Sequence, residues 1–127
     1  YDFQFESVIN DFFERGIIDK SEMKRVIELI KLIINNNKLK CFFDKKNIVY
    51  NEREIFIPPD KVIIPDKTVF LDNNSISILD YKTGKKNKEH LDQMKKYIFH
   101  LKKANYRVKN VFLVYILDEI KLVKITA

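Results

Sequence analysis

The chain has 127 residues, the size of one domain, and can bury about two thirds of its unfolded surface without disulfide or metal staples. Hydrophobic residues at 46% and charged residues at 33% exclude a disordered chain, and two Gly and three Pro exclude a linker or a collagen-like repeat. The net charge of +6 favours an anionic partner, nucleic acid first, although joint enrichment in Lys, Ile and Asn is also what AT-rich coding produces. The longest apolar run, 111–117, falls far short of the roughly 18–20 residues that span a bilayer, and nothing resembles a signal peptide, so no membrane partner is expected. The single cysteine, Cys41, excludes an internal disulfide and any Cys-only zinc or iron–sulfur site. A cytoplasmic location follows as an expectation. The chain opens on Tyr1 without a Met and is expected to be a fragment of a longer protein.

Residues 6–15 carry an apolar stripe of Phe5, Val8, Ile9, Phe12 and Phe13 at helical spacing, ended by Gly16. Ser21 is placed to cap a second helix to about Ile34, with Met23, Val26, Ile27, Ile30, Ile33 and Ile34 inward. Asn35-Asn36-Asn37 stops it. Residues 47–57 mix β-branched, aromatic and charged side chains and predict a strand, broken by Pro58-Pro59. Residues 62–71 predict a second strand, Asp72-Asn73-Asn74 a turn, and 75–82 a third strand. After Thr83-Gly84 comes a Lys-rich loop. An amphipathic helix follows over 88–104 with Leu91, Met94, Ile98 and Leu101 inward, then a buried strand over 109–117 and a short one over 120–125. The order predicts an α/β fold with a mixed sheet. No repeat or low-complexity linker divides it, so a single module is expected, with N-terminal helices over 1–45 and a core over 46–127.

The chemistry concentrates in residues 65–82. A hairpin symmetric about Asn73 sets Asp66 opposite Asp80, with Cβ atoms about 4.5–5.5 Å apart on one face. Two such carboxylates repel unless a cation lies between them. Lys82, two residues past Asp80, projects to the same face. Two carboxylates and an ammonium are what metal-dependent phosphodiester hydrolysis requires: the acids hold Mg²⁺, and the amine orients or helps deprotonate water and offsets transition-state charge. The bland reading of the same residues is a solvated hairpin end with a Lys–Asp ion pair.

Pro65-Asp66, then Asp80-Tyr81-Lys82-Thr83-Gly84, then Gln93 and Tyr97, resembles the PD-(D/E)XK nuclease superfamily, and within it the RecB-type branch. Phe42-Phe43, Asn51-Glu52-x-Glu54-Ile55, Ala104-Asn105-Tyr106 and the strand from Val111 are similar to the nuclease domain at the C-terminus of RecB/AddA-like helicase–nucleases of the UvrD class. The resemblance implies a restriction-endonuclease-like αβββαβ core. It also implies a Mg²⁺-dependent deoxyribonuclease, with Mn²⁺ as a substitute, working as an exonuclease module in double-strand break repair and recombination. Its partners would be DNA and a helicase segment. It implies Asp66, Asp80 and Lys82 as catalytic residues, with the metal held by Asp66, Asp80 and the Tyr81 carbonyl. Gln93 and Tyr97, four apart on one helical face, would support the site or a DNA phosphate. The branch usually carries a His or Glu on its first helix; Glu6 is the nearby acid here.

Other residues admit two readings. Asp60 also follows a Pro but has no partner across the hairpin. Glu52 and Glu54 alternate onto one face of the first strand, either joining the metal site or facing solvent. His90 and His100 are ligands or hydrogen-bonded surface residues. Lys85, Lys86 and Lys88, in the loop beside the acids, are placed to grip a nucleic-acid backbone. Two rival functions stand beside the exonuclease: a non-catalytic DNA- or partner-binding domain of the same fold, and another PD-(D/E)XK endonuclease.

Overall fold

A computed structural model describes residues 16, 23–72, 74–116 and 119–125. The chain divides into two compact units, Tyr1–Asp44 and Lys45–Ala127. That division falls one residue from the boundary expected between the N-terminal helices and the core. The expected helix over 6–15, its Phe12 and Phe13, Glu6 and the Ser21 cap lie outside the described residues. Gly16 has a φ of 67°, a left-handed value that glycine adopts without a Cβ clash.

In the first unit, helix α1 (Met23–Ile34) buries Leu29, Ile30, Ile33 and Ile34, four positions at the i, i+1, i+4, i+5 spacing of one helical face. The three asparagines end it as expected. Asn36 caps a 3₁₀ turn, Asn37–Phe42, by accepting the Lys38 N–H at 2.9 Å. That turn buries Leu39 and Phe42, and Phe43 just after it is buried too.

The second unit is a five-stranded sheet with a separate two-stranded ribbon. The sheet holds β1 (Val49–Asn51), β4 (Lys67–Asp72), β5 (Ser75–Thr83), β6 (Arg107–Ile116) and β7 (Ile120–Lys124), in the spatial order β1-β4-β5-β6-β7. The ribbon pairs β2 (Ile55–Ile57) with β3 (Lys61–Ile63). All strand pairs are antiparallel except β5–β6, which helix α2 (Lys88–Lys103) connects. The sheet is therefore mixed and the class α/β, as expected. Among the described residues no helix is long and apolar enough to cross a membrane.

Two of the predicted strands are each divided in the structure. The run 47–57 breaks after Asn51, because Glu52 takes a left-handed φ of 50° that turns the chain out of the sheet. The run 62–71 breaks at Ile64-Pro65-Asp66. Proline has no N–H to give a ladder, and the chain passes from the ribbon to the sheet there. Pro58-Pro59 lies in the turn joining β2 to β3.

Helix α2 starts at Asn87, whose side chain accepts the Glu89 N–H at 2.8 Å. His100, Lys102 and Lys103 in its last turn complement the helix dipole. Its apolar stripe, Met94, Ile98 and Leu101, joins one cluster with Ile76 and Ile78 of β5 and with Val111, Leu113 and Tyr115 of β6. Ile55, Ile57 and Ile63 of the ribbon belong to the same cluster, while Phe56 and Val62, paired on its other face, are exposed. Central strand β5 is buried from Ser75 through Tyr81, as a strand flanked on both sides must be.

Truncating Ile78, fully buried in this cluster, to Ala is expected to lower the free energy of unfolding by about 2–5 kcal/mol. Val62→Ala on the exposed ribbon face should change it by less than about 0.5 kcal/mol. Urea melts of the two variants check the contrast.

Candidate functional site

The β4–β5 hairpin closes with Asp72 facing Ser75, and Asn74 has a φ of 64°. Continued unbroken, that register would set Asp66 opposite Tyr81 and leave Asp80 facing away. A bulge between Phe70 and Asp72 moves the register by one residue. Phe70 then faces Ile76, Thr68 faces Ile78 and Lys67 faces Leu79. Asp66 comes opposite Asp80, the juxtaposition expected from a hairpin symmetric about Asn73. A bulge after Phe70 gives the same juxtaposition as the symmetric turn that was expected.

The two acids lie on the face that α2 covers, in line with Thr68 and Phe70 on one strand and with Ile78 and Ile76 on the other. Both are buried, Asp66 at 5% and Asp80 at 4% exposure. Each carboxylate is tied to the other residue's strand. The Asp66 backbone N–H donates to Asp80 Oδ1 at 2.8 Å, and the Tyr81 N–H donates to Asp66 Oδ2 at 2.7 Å. Backbone donors favour the charged form of a carboxylate and fix its rotamer. Because the N–H and C=O of a strand residue point the same way, the Tyr81 carbonyl faces the strand edge that carries Asp66. The Asp66 carbonyl is turned to the opposite edge, where it accepts the Glu52 N–H at 2.9 Å.

Lys82 places its Nζ 3.7 Å from Asp80 Oδ2 and donates to Gln93 Oε1 at 2.9 Å. Gln93 Nε2 in turn donates to the Tyr97 hydroxyl at 3.3 Å. Burial raises the Tyr97 phenol above its ordinary 10.0, the Asp80 charge adds to the rise, and a backbone hydrogen bond at Ile64 opposes it. Asp80, Lys82, Gln93 and Tyr97 therefore form one connected set, and Tyr97 reaches back to the segment that delivers Asp66. All five side chains expected at the site's centre and support are together.

The flanking candidates divide. Lys85 and Lys86 are exposed in the loop after β5; Lys88, grouped with them but also the first residue of the expected 88–104 helix, is the first residue of α2. Asp60 is exposed in the ribbon turn. Glu52 and Glu54 are both exposed and share no strand face, because the left-handed Glu52 breaks the alternation. His90 Nδ1 lies 2.9 Å from the Tyr115 hydroxyl, which also accepts the Asn87 N–H at 3.4 Å, so it secures the start of α2. His100 packs edge-on to Phe99.

Two features escaped the sequence reading. Lys67 is buried, with its Nζ 2.6 Å from Asn51 Oδ1, although a strand lysine reads as solvated. Thr68 is buried with a hydroxyl that has no hydrogen-bond partner. The signal available was its i+2 spacing from Asp66, which puts it on the acids' face.

The donor set is hard oxygen: two carboxylates and a carbonyl. Among the described residues no three His, Cys, Asp or Glu side chains gather. Such a sparse set suits Mg²⁺, which is typically held by one or two carboxylates with water and substrate phosphate completing its shell. Zinc prefers nitrogen and sulfur ligands that the site lacks. No protein-family model matches the chain, and no curated protein matches it.

Deleting Leu71 removes the extra residue of the bulge. The expected outcome is a regular ladder in which Asp72 still faces Ser75 and Phe70 still faces Ile76, so that Asp66 stays opposite Asp80, seen as retained cross-strand NOEs between Lys67 and Leu79. The Tyr97 phenol is expected to ionise above pH 10, later than an exposed tyrosine. A raised folded pKa contributes stability that is complete below the unfolded value and is lost as pH rises through the folded one. Tyr97→Phe should remove that alkaline loss, and Asp80→Asn should move the Tyr97 transition to lower pH; phenolate absorbance titrations read both.

Proposed function

We propose that the Lys45–Ala127 unit is a restriction-endonuclease-like domain of the PD-(D/E)XK type that hydrolyses DNA phosphodiester bonds. In this reading it is the exonuclease module of a helicase–nuclease in double-strand break repair, in the cytoplasm. The observation that carries it is the reciprocal exchange in which each acid's carboxylate accepts a backbone N–H from the other's strand, with Lys82 beside them. A structural ion pair at a solvated hairpin end does not require two buried, individually oriented carboxylates.

Asp66, Asp80 and the Tyr81 carbonyl would hold Mg²⁺, or Mn²⁺ in its place. When bound, the cation supplies charge stabilisation to the phosphate and a more acidic water. Lys82 orients the attacking water and offsets charge that develops on the phosphoryl oxygens. Gln93 holds Lys82 at its Oε1 and is itself braced by Tyr97, so α2 sets the direction of the amine. Lys85, Lys86 and Lys88 supply phosphate contacts that carry no base preference.

The test is cleavage of end-labelled linear DNA by the purified chain with Mg²⁺, with Mn²⁺ and with EDTA. Asp80→Asn keeps an acceptor for the Asp66 N–H but removes the charge. It and Lys82→Ala are each expected to slow cleavage by about 100-fold or more. Cleavage that persists unchanged in Asp80→Asn overturns the assignment. Circular DNA cut as fast as linear would move the reading to an endonuclease, and metal-independent DNA retention with no cleavage to a binding domain.

A further inference from the structure

Tyr115 puts a hydroxyl into the apolar end of β6, Val111 to Ile116, at a place that is 3% exposed. A Phe would fill the same space, and a buried hydroxyl is costly unless hydrogen bonds satisfy it. Two groups do so. The oxygen accepts the Asn87 N–H at 3.4 Å, and His90 Nδ1 lies 2.9 Å away. The hydroxyl must also place its own hydrogen, and Nδ1 is the acceptor within reach, so the imidazole carries its proton at Nε2. The His90 ring packs against the tyrosine ring with centroids 5.5 Å apart, which holds that geometry.

The contact closes a loop. β5 stays paired with β6 as far as Thr83, opposite Ile116, and α2 begins at Lys88. Between them run Gly84, Lys85, Lys86 and Asn87, with Gly84 turning the chain at a φ of 83°. The two ends of the loop are therefore tied to neighbouring residues of one strand: Thr83 to Ile116 through the sheet, and Asn87 to Tyr115 through the hydroxyl. The helix start does not require that second tie, since the Asn87 side chain already accepts the Glu89 N–H and its carbonyl accepts the His90 N–H. What the hydroxyl adds is a fixed position for the loop. Tyr115 also pairs with Lys82 across β5–β6, so the loop is registered against the strand that carries the amine.

We propose that the Tyr115 hydroxyl, oriented by His90, holds Lys85 and Lys86 at the phosphates beside the scissile one, which makes Tyr115 a positioning residue for substrate binding. The inference rests on the nuclease reading, in which those lysines contact the DNA backbone. Both lysines are exposed, and an ammonium on a long stem must be ordered before it holds a phosphate. A loop anchored at both ends has already lost backbone freedom that binding would otherwise remove. Lys82 takes its direction from Gln93, so loss of the hydroxyl leaves the amine aimed as before. The anchor thus acts on how tightly the DNA is held and not on the bond-breaking step.

The test is Tyr115→Phe in the purified chain, with and without the paired substitutions Lys85→Ala and Lys86→Ala. Binding of a labelled linear duplex in EDTA, where cleavage does not intervene, is expected to weaken about five-fold in Tyr115→Phe. With Mg²⁺, KM for cleavage should rise by the same factor while kcat stays within about two-fold. In the chain that lacks both lysines, Tyr115→Phe should add no further loss, because the hydroxyl acts through them. His90→Leu should repeat the effect, and His90→Asn, whose Oδ1 can stand where Nδ1 does, should restore binding. Thermal melts confirm that each variant is folded at the assay temperature. Unchanged binding in Tyr115→Phe, or an equal loss with and without the lysines, overturns the proposal, and cleavage by the same chain then leaves the nuclease reading intact. DNA held with the expected pattern but never cleaved keeps the anchor and overturns the nuclease reading. A chain that holds no DNA overturns both.

Discussion

Everything at the site depends on one residue of β-sheet register. The pairing of Asp72 with Ser75 by itself directs Asp66 towards Tyr81, on the wrong face. The bulge between Phe70 and Asp72 restores the pairing that brings the acids together. Side chains alternate with a period of two, so there is no intermediate solution: the acids either share a face or lie on opposite surfaces. The pairing is then locked by side-chain chemistry as well as by the ladder, because each carboxylate accepts an amide from the other's strand. A slipped β4 would lose two charge-assisted hydrogen bonds and would turn Val69, fully buried on the other face of the strand, out of its place. Core packing and site assembly therefore select the same register.

The helix supplies the second constraint. Met94, Ile98 and Leu101 settle on β5 and β6 and so fix the rotation of α2 about its axis. Gln93 and Tyr97 flank that stripe, one residue before Met94 and Ile98 respectively, and are carried to the margin where the apolar cluster gives way to Asp80 and Lys82. The result is a relay from a strand carboxylate through Lys82 to two helix side chains. An ammonium on four rotatable bonds has little direction of its own, and the Gln93 carbonyl provides one.

Elements with strong periodicity were legible in the residues. The α2 stripe, the buried run of β6 and the Asn stop after α1 all declare themselves by spacing. The Asp66–Asp80 juxtaposition was legible as arithmetic, but the bulge behind it was not, because Leu71 differs in no visible way from its neighbours. The divided strands were hidden for opposite reasons. Asn51-Glu52-Arg53-Glu54 imitates an alternating edge strand, and nothing in a glutamate announces a left-handed φ. Pro65 does announce a break, yet the apolar residues on both sides of it read as one strand.

The charge balance of the centre ties these observations to chemistry. Asp66 and Asp80 lie below about one tenth exposure, and the Lys82 ammonium is 3.7 Å from Asp80. Two backbone amides add partial positive charge but no net charge. Solvent screening is weak there, so a further cation beside the acids is felt strongly. In the proposed reading a divalent cation with a phosphate diester beside it brings one positive charge in sum, and a monovalent cation with the same diester brings none. On that account the acids favour the divalent pair, metal and substrate phosphate together.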